Sequence, residues 1–387
     1  MKRTRRPSKS VERDILSAAF LRGEFQLSQT KIGALLGGLS QSRVSRLLKL
    51  AEARRLLDVR YRFLGADELS PEHLADLQAL VEPKELLDIL RRFDSKNGVR
   101  VREVRVVDTG GPGETPRTTD LRLARLGRGA ATRVGELLQR SSIFAVTWGQ
   151  TVSHVVDALA AAPPRLDRPV TFVPVCAEPL DRSSNKETSS HLVQRLHRLL
   201  QPDAPPPPSL TGVPALIPLK FLIRDHSIRQ FIEEAASYRE IFGGADPLIK
   251  RVDTLITSVG PADRPMGFIH DELLKAGSIE GKPLTATKLA SLVAGDIGGI
   301  LIPRRTLKDE KDKTAVEALN EMWTGVKRKH LERIARDADR NNRPGVIVVS
   351  LDRPEIVAEV IRQGLVNELI IDRATTGKVA QLLEEGT

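Results

Sequence analysis

Two stretches of the chain carry side chains whose types and spacing could do chemistry. In the first, Gln41, Ser42, Arg43, Ser45, Arg46 and Lys49 lie on or beside the polar face of a short helical pattern. Arginine can donate two parallel hydrogen bonds to guanine, and glutamine can pair with adenine, so such a face near a helix N-terminus suits duplex DNA read through the major groove. In the second, Thr147-Trp148-Gly149-Gln150-Thr151 lies between an apolar strand pattern and a helical one. A helix start offers unpaired backbone N–H groups to an anion; Gly149 lets backbone approach a ligand, and Thr147, Gln150 and Thr151 add hydroxyl and amide partners. A simple helix cap explains the same residues about as well. Similar strand-end corners occur at Ser258-Val259-Gly260, at Gly295-Asp296 and from Asp372 to Thr375.

Other chemistry finds little support. Gly110, Gly111 and Gly113 resemble a phosphate loop only superficially, because no Lys-Ser/Thr pair follows; they read as a turn. His270-Asp271-Glu272 and the pair His191/His197 lack partners at metal spacing and read as solvated histidines, so no metal and no cofactor is expected. No GxSxG elbow marks a nucleophile. The single cysteine, Cys176, excludes an internal disulfide and points to a reducing cytoplasm. No stretch approaches the length of apolar sequence that spans a membrane.

The first site needs a rigid helical frame, and the sequence supplies one. Ser40 can cap a helix in which Val44, Leu47, Leu48 and Ala51 recur at helical spacing as one apolar stripe. Ile32, Leu35 and Leu36 give the preceding helix its own apolar side, and Gly37-Gly38 supply the turn between them. A first helix capped by Ser10, with Ile15, Leu16, Ala19 and Phe20 facing inward, would buttress the pair. Leu57 to Phe63 alternates apolar and polar residues as a half-buried strand does, completing a winged helix-turn-helix. An ordinary amphipathic hairpin would show the same periodicity. Charge argues against it: residues 1–64 hold fifteen Lys and Arg against five Asp and Glu, so the whole formal excess of +10 lies there, as phosphate contact confined to one domain requires.

The second site needs a sheet. After a linker at Leu64 to Leu69, Ser70-Pro71-Glu72 is a strong helix start. From residue 99 onward, strand-length apolar runs alternate with helical patterns: 101–108 with 128–140, 142–148 with 152–162, 170–176 with 190–200, then 252–260, 345–350 with 354–363, and 368–372 with 375–383. That alternation predicts a mostly parallel sheet covered on both faces. Pro202 to Pro208 reads as a surface connection of polyproline character, and Arg304 to Lys313 as a solvated charged loop.

These residues together resemble the SorC family of bacterial transcriptional regulators, the sugar-binding, DeoR-like group. The resemblance runs over essentially the whole chain and is strongest in residues 27–59, in Thr147 to Thr151 and in residues 366–383. It implies an effector domain similar in fold to sugar-phosphate isomerases and CoA transferases, acting as a sensor without turnover in dimers or tetramers on operator DNA. It also implies that Gly149-Gln150-Thr151 meets the effector phosphate, that Asp296 meets sugar hydroxyls and that Arg353, usually lysine in the family, lies near the phosphate. The chain departs from the family at Cys176-Ala177-Glu178 and at Leu351-Asp352, where glycines are common; Glu178 would repel a phosphate. A sugar acid or a less charged polyol derivative is therefore an alternative effector.

The expectation is a winged helix-turn-helix over 1–65, a linker and connecting helices over 66–98, and an effector-binding α/β domain over 99–387. The function expected is an effector-responsive regulator that is not an enzyme, cytoplasmic, and a homodimer or homotetramer without membrane contact. The rival is a sugar-phosphate isomerase or transferase with an appended DNA-binding part.

Overall fold

The computed structural model describes residues 9–23, 27–53, 56, 83–110, 116–176, 187–204, 226–261, 274, 278–279, 282–321 and 324–385. The chain divides into two units, Met1–Gln78 and Ala79–Thr387.

Among the described residues of the first unit, three helices, α1 (Lys9–Gly23), α2 (Gln29–Leu35) and α3 (Gln41–Ala53), follow one another. Serine oxygens accept from otherwise unpaired N–H groups at the starts of α2 and α3: Ser28 Oγ from Lys31 and Ser40 Oγ from Arg43, both at 3.3 Å. Between the helices, Gly37 and Gly38 take φ of 81° and 79°, a left-handed turn that glycine adopts without strain. The connection folds tightly onto α2, where a Cβ on Gly33 would lie 2.2 Å from the Leu39 carbonyl oxygen. Ile15, Ala18, Ala19, Ile32, Val44, Leu47, Leu48 and Ala51 form the core.

The α3 stripe is buried as its spacing requires, whereas Leu16, Phe20 and Leu35 are 49%, 59% and 63% exposed rather than inward-facing. On α1 the buried face follows Ile15, Ala18 and Ala19, and on α2 it follows Ile32, which turns those three side chains outward. Ser10 lies inside α1 instead of capping it. The expected wing (57–63), the linker and the helix start at Ser70 lie outside the described residues.

The second unit opens with α4 (Lys84–Arg92) and β1 (Glu103–Val107), then α5 (Pro116–Arg140), β2 (Ile143–Val146), α6 (Gln150–Ala161), β3 (Thr171–Pro174) and α7 (Ser189–Leu200). There follow α8 (His226–Glu234), α9 (Ala236–Ile241), β4 (Thr254–Pro261), the short pair β5 (Ser278–Ile279) and β6 (Lys282–Pro283), and α10 (Ala286–Leu292). The rest comprises β7 (Val293–Ile297), β8 (Ile300–Pro303), α11 (Glu310–Glu321), α12 (Arg328–Asn341), β9 (Gly345–Ser350), α13 (Pro354–Arg362), β10 (Glu368–Asp372) and α14 (Arg373–Glu384).

Six strands pair in the order β1-β10-β9-β4-β2-β3, every neighbour parallel. Apolar residues run continuously along the central strands because both faces are covered. Val346 and Val348 enter one apolar cluster while Ile347 and Val349 enter another. Each such buried aliphatic side chain contributes about 1.5–3 kcal/mol relative to leaving it in water. Phe144 and Phe172 meet edge to face across β2 and β3, ring centroids 6.1 Å apart.

Four features differ from the sequence pattern. The helix expected over 128–140 starts at Pro116, and α11 begins inside the charged run read as a loop, with Glu310 and Asp312 in its first turn. His197 is buried rather than solvated, its Nε2 3.3 Å from the Ala204 carbonyl oxygen. Most consequential, β7 and β8 form an antiparallel hairpin, and β7 pairs antiparallel with the last residues of β4. The chain leaves β2 for β3 on one side and β4 for β9 on the other, so the connections diverge between β2 and β4. Open α/β sheets bind ligands beyond the carboxyl ends of strands at such a divergence.

Candidate functional site

In the first unit, α3 presents Gln41, Ser42, Arg43, Arg46 and Lys49 exposed and Ser45 half-buried, with Val44, Leu47 and Leu48 anchoring the opposite face. Ser40 and Ser42 hydroxyls lie 3.1 Å apart at the helix start. Helical spacing alone makes this separation of faces.

In the second unit the site is assembled at the carboxyl ends of β2, β4 and β9. Thr147 closes β2 and is fully buried; its hydroxyl donates to Thr257 Oγ1 at 3.0 Å, fastening β2 to β4. Gly149 follows with φ of 110°, and a Cβ there would lie 3.4 Å from Ser258 Oγ. It caps α6 without a side chain, while its own N–H donates to the Glu187 carbonyl at 2.9 Å. The first-turn N–H groups of α6 have no acceptor within the helix. Thr151 is buried and Gln150 exposed in that turn.

The hairpin supplies what β4 lacks. Asp296 pairs opposite Gly260, and its carboxylate accepts from Gly299 N–H at 3.0 Å. Burial pushes this carboxyl up to about 6, against the opposing pull of the Gly299 N–H and the charge of Arg353. Arg353 sits at the N-cap of α13, separated from β9 by Leu351 and Asp352, and β7 packs on the first turn of that helix: a Cβ on Gly295 would lie 3.1 Å from Ile356 Cβ. At the hairpin turn, Gly298 lies against Thr147 and Thr257, and the Cys176 thiol donates to its carbonyl at 3.2 Å. Gly149, Asp296 and Arg353 thus gather around the end of β4. Ala177 and Glu178 lie outside the described residues, as do His270, Asp271 and Glu272.

Beside this corner is a buried ionic cluster that the sequence did not announce. Arg122 of α5, its side chain 5% exposed, forks onto the Asp352 carboxylate and lies 3.5 Å from Asp372 Oδ2. Its Nε donates to Thr109 Oγ1 at 3.3 Å. Asp352 holds φ of 54°, and its N–H donates to Asp372 Oδ1 at 2.9 Å. The sequence shows the corners at Ser258 and Asp372 only singly; β9, paired with β4 on one side and β10 on the other, brings both to the same end of the sheet, and no local pattern carries that strand order.

Among the described residues, no group of three or more His, Cys, Asp or Glu could hold a metal, and no helix is long and apolar enough to cross a membrane. The "Putative sugar-binding domain" family model matches residues 92–381. No curated protein matches the chain. Among solved structures, the full-length sorbitol operon regulator SorC from Klebsiella pneumoniae is similar at 18% identity and a TM-score of 0.50, covering 97% of this chain and 100% of its own. The "Putative Sugar-Binding Domain of Transcriptional Repressor" from Vibrio fischeri is similar at 16% identity and a TM-score of 0.54, covering 78% and 100%. A DeoR family transcriptional regulator from Listeria monocytogenes is similar at 16% identity and a TM-score of 0.50, covering 76% and 99%. Since the family model spans most of its length, the chain belongs to the sugar-binding domain family, in keeping with its resemblance to the SorC regulators.

Proposed function

We propose that this protein is an effector-responsive transcriptional regulator: α3 reads operator DNA, and the corner around Gly149, Gln150, Thr151, Asp296 and Arg353 binds a small anionic, hydroxyl-bearing metabolite, with Thr147 bracing it from behind. The observation that carries the effector reading is the convergence of a helix start, a carboxylate and a guanidinium at the end of β4. First-turn N–H groups and a guanidinium suit a phosphate or carboxylate, while a carboxylate suits sugar hydroxyls. The similarity to regulators over both units supports pairing that sensor with DNA. Binding reaches DNA only if the ligand prefers one of two arrangements of the protein, since equal affinity for both shifts nothing.

The test is a thermal-shift screen of sugar phosphates, sugar acids and polyols on the full chain, repeated on Thr151→Ala and Arg353→Ala, with operator binding measured alongside. A ligand at about 100 times its Kd stabilises by about 2.7 kcal/mol. The expected hit loses that shift in both variants and changes operator affinity in the parent. A hit bound unchanged by both variants places the site elsewhere; catalytic conversion of a sugar phosphate would replace the sensor reading with an enzymatic one.

A further inference from the structure

The loop between β9 and α13 is held from the opposite face of the sheet. Asp352 adopts a left-handed conformation that a non-glycine residue takes only at a cost, more tolerable for Asp than for most side chains. Asp372 takes its N–H, Arg122 takes its carboxylate through two nitrogens, and Arg122 in turn is anchored on Thr109 and Asp372. Asp372 and Thr109 lie at the ends of β10 and β1, and Arg122 on α5, so the tie spans three elements that take no part in the corner at β4. The next residue is Arg353, and β7 with Asp296 packs on the helix that Arg353 begins.

We infer that Arg122 is a positioning residue for the proposed effector corner: by gripping Asp352 in its left-handed turn it sets where Arg353 stands relative to Asp296. The inference rests on the effector reading for its biological meaning, but not for its test. A guanidinium suits the task because its planar fork spreads donors on three nitrogens toward two carboxylates and a hydroxyl in fixed directions, which the single nitrogen of an ammonium does not. Glycine would take this turn unaided; the aspartate found here is held in it by the Arg122 guanidinium of α5.

The experiment follows the Asp296 carboxyl by 13C NMR in the full-length protein, with labelled aspartate and Asp296→Asn for assignment, across pH 4 to 8. Arg353→Gln calibrates the readout, since loss of that charge raises the Asp296 midpoint. Arg122→Gln is expected to raise it too, and Arg122→Lys to raise it less. Asp352→Ala is the decisive variant, because alanine offers Arg122 no carboxylate and resists the left-handed turn, while the Arg122–Asp372 pair survives. Removing a nearby negative charge would by itself lower the midpoint, whereas freeing Arg353 raises it; Asp352→Gly, which takes the turn unaided, keeps Arg353 in place and shows only the lowering. A midpoint unchanged or lowered in Asp352→Ala, or unchanged in Arg122→Gln while Arg353→Gln moves it, overturns the inference. A chain that shows the expected shifts yet binds no metabolite would leave the positioning role intact and remove the effector reading instead.

Discussion

The carboxylate of Asp296 occupies the space where a side chain on Gly260 would begin: a Cβ built on Gly260 would lie 2.1 Å from Asp296 Oδ1. The two residues face each other across the antiparallel pairing of β4 with β7, so the absence of a side chain on one strand makes room for the charge on the other. Real Cβ atoms do not approach oxygen so closely. Either residue can therefore be enlarged only by moving the other.

Gly260→Ala is accordingly expected to displace Asp296 and destabilise the second unit by about 1–3 kcal/mol, the range for overpacking a close contact. Denaturant unfolding checks the stability, and the same variant should lose the effector shift. If its unfolding midpoint matches the parent's, the hairpin does not press on β4 as described.

On α3, each bidentate arginine contact to guanine carries about 1–3 kcal/mol of base discrimination. Arg43→Ala and Arg46→Ala should therefore weaken operator binding while relaxing preference at particular base pairs. Lys2, Arg3, Arg5 and Arg6 cluster in the first residues of the sequence, and replacing them should reduce the salt slope by about 0.9 for each phosphate no longer neutralised, without altering preference. Footprints of the two arginine variants identical to the parent's would disprove the assignment.

The sequence made some of this legible and hid the rest for physical reasons. Val44, Leu47, Leu48 and Ala51 are buried because a helix dictates its own faces, and residues 345–350 read as a strand because a sheet covered on both sides tolerates only apolar residues there. Leu16, Phe20 and Leu35 misled, since helical periodicity fixes an axis of burial but not its width. Gly149, Asp296 and Arg353 are far apart along the chain, and their meeting depends on the strand order and on an antiparallel hairpin hidden among parallel strands. Arg122 lay in a stretch rich in arginine, and only burial separates it from its neighbours.

One α3 reads only a few base pairs, and specific affinity at cellular salt generally needs two half-sites a helical turn apart or a multiple of it. A symmetric oligomer is expected. Sedimentation at micromolar concentration, with and without operator DNA, checks this; a monomer under both conditions would count against it.

The last prediction concerns pH. Asp296 has its carboxyl raised to about 6 by burial, so between its ordinary value near 4 and that point the folded protein holds a proton that the unfolded chain has released. The unfolded state then binds fewer protons, and this group's contribution to stability falls as pH rises through that window, by roughly 3 kcal/mol in all. His330 acts oppositely. Burial first, then Lys329, Arg333 and Lys327, lower it to about 4, while its Nδ1 accepts from Lys327 N–H at 3.1 Å and its ring stacks on Phe242 with centroids 6.0 Å apart. Its contribution is full above the ordinary histidine value and is lost as pH falls toward 4, so the two groups offset each other in the parent between about pH 4 and 6.5. Asp296→Asn removes one of them. Its stability relative to the parent should grow with pH by roughly 3 kcal/mol from about pH 4 to 6 and level off above. A difference that stays constant across that range in denaturant titrations would mean that Asp296 is not held in a dry, proton-retaining corner.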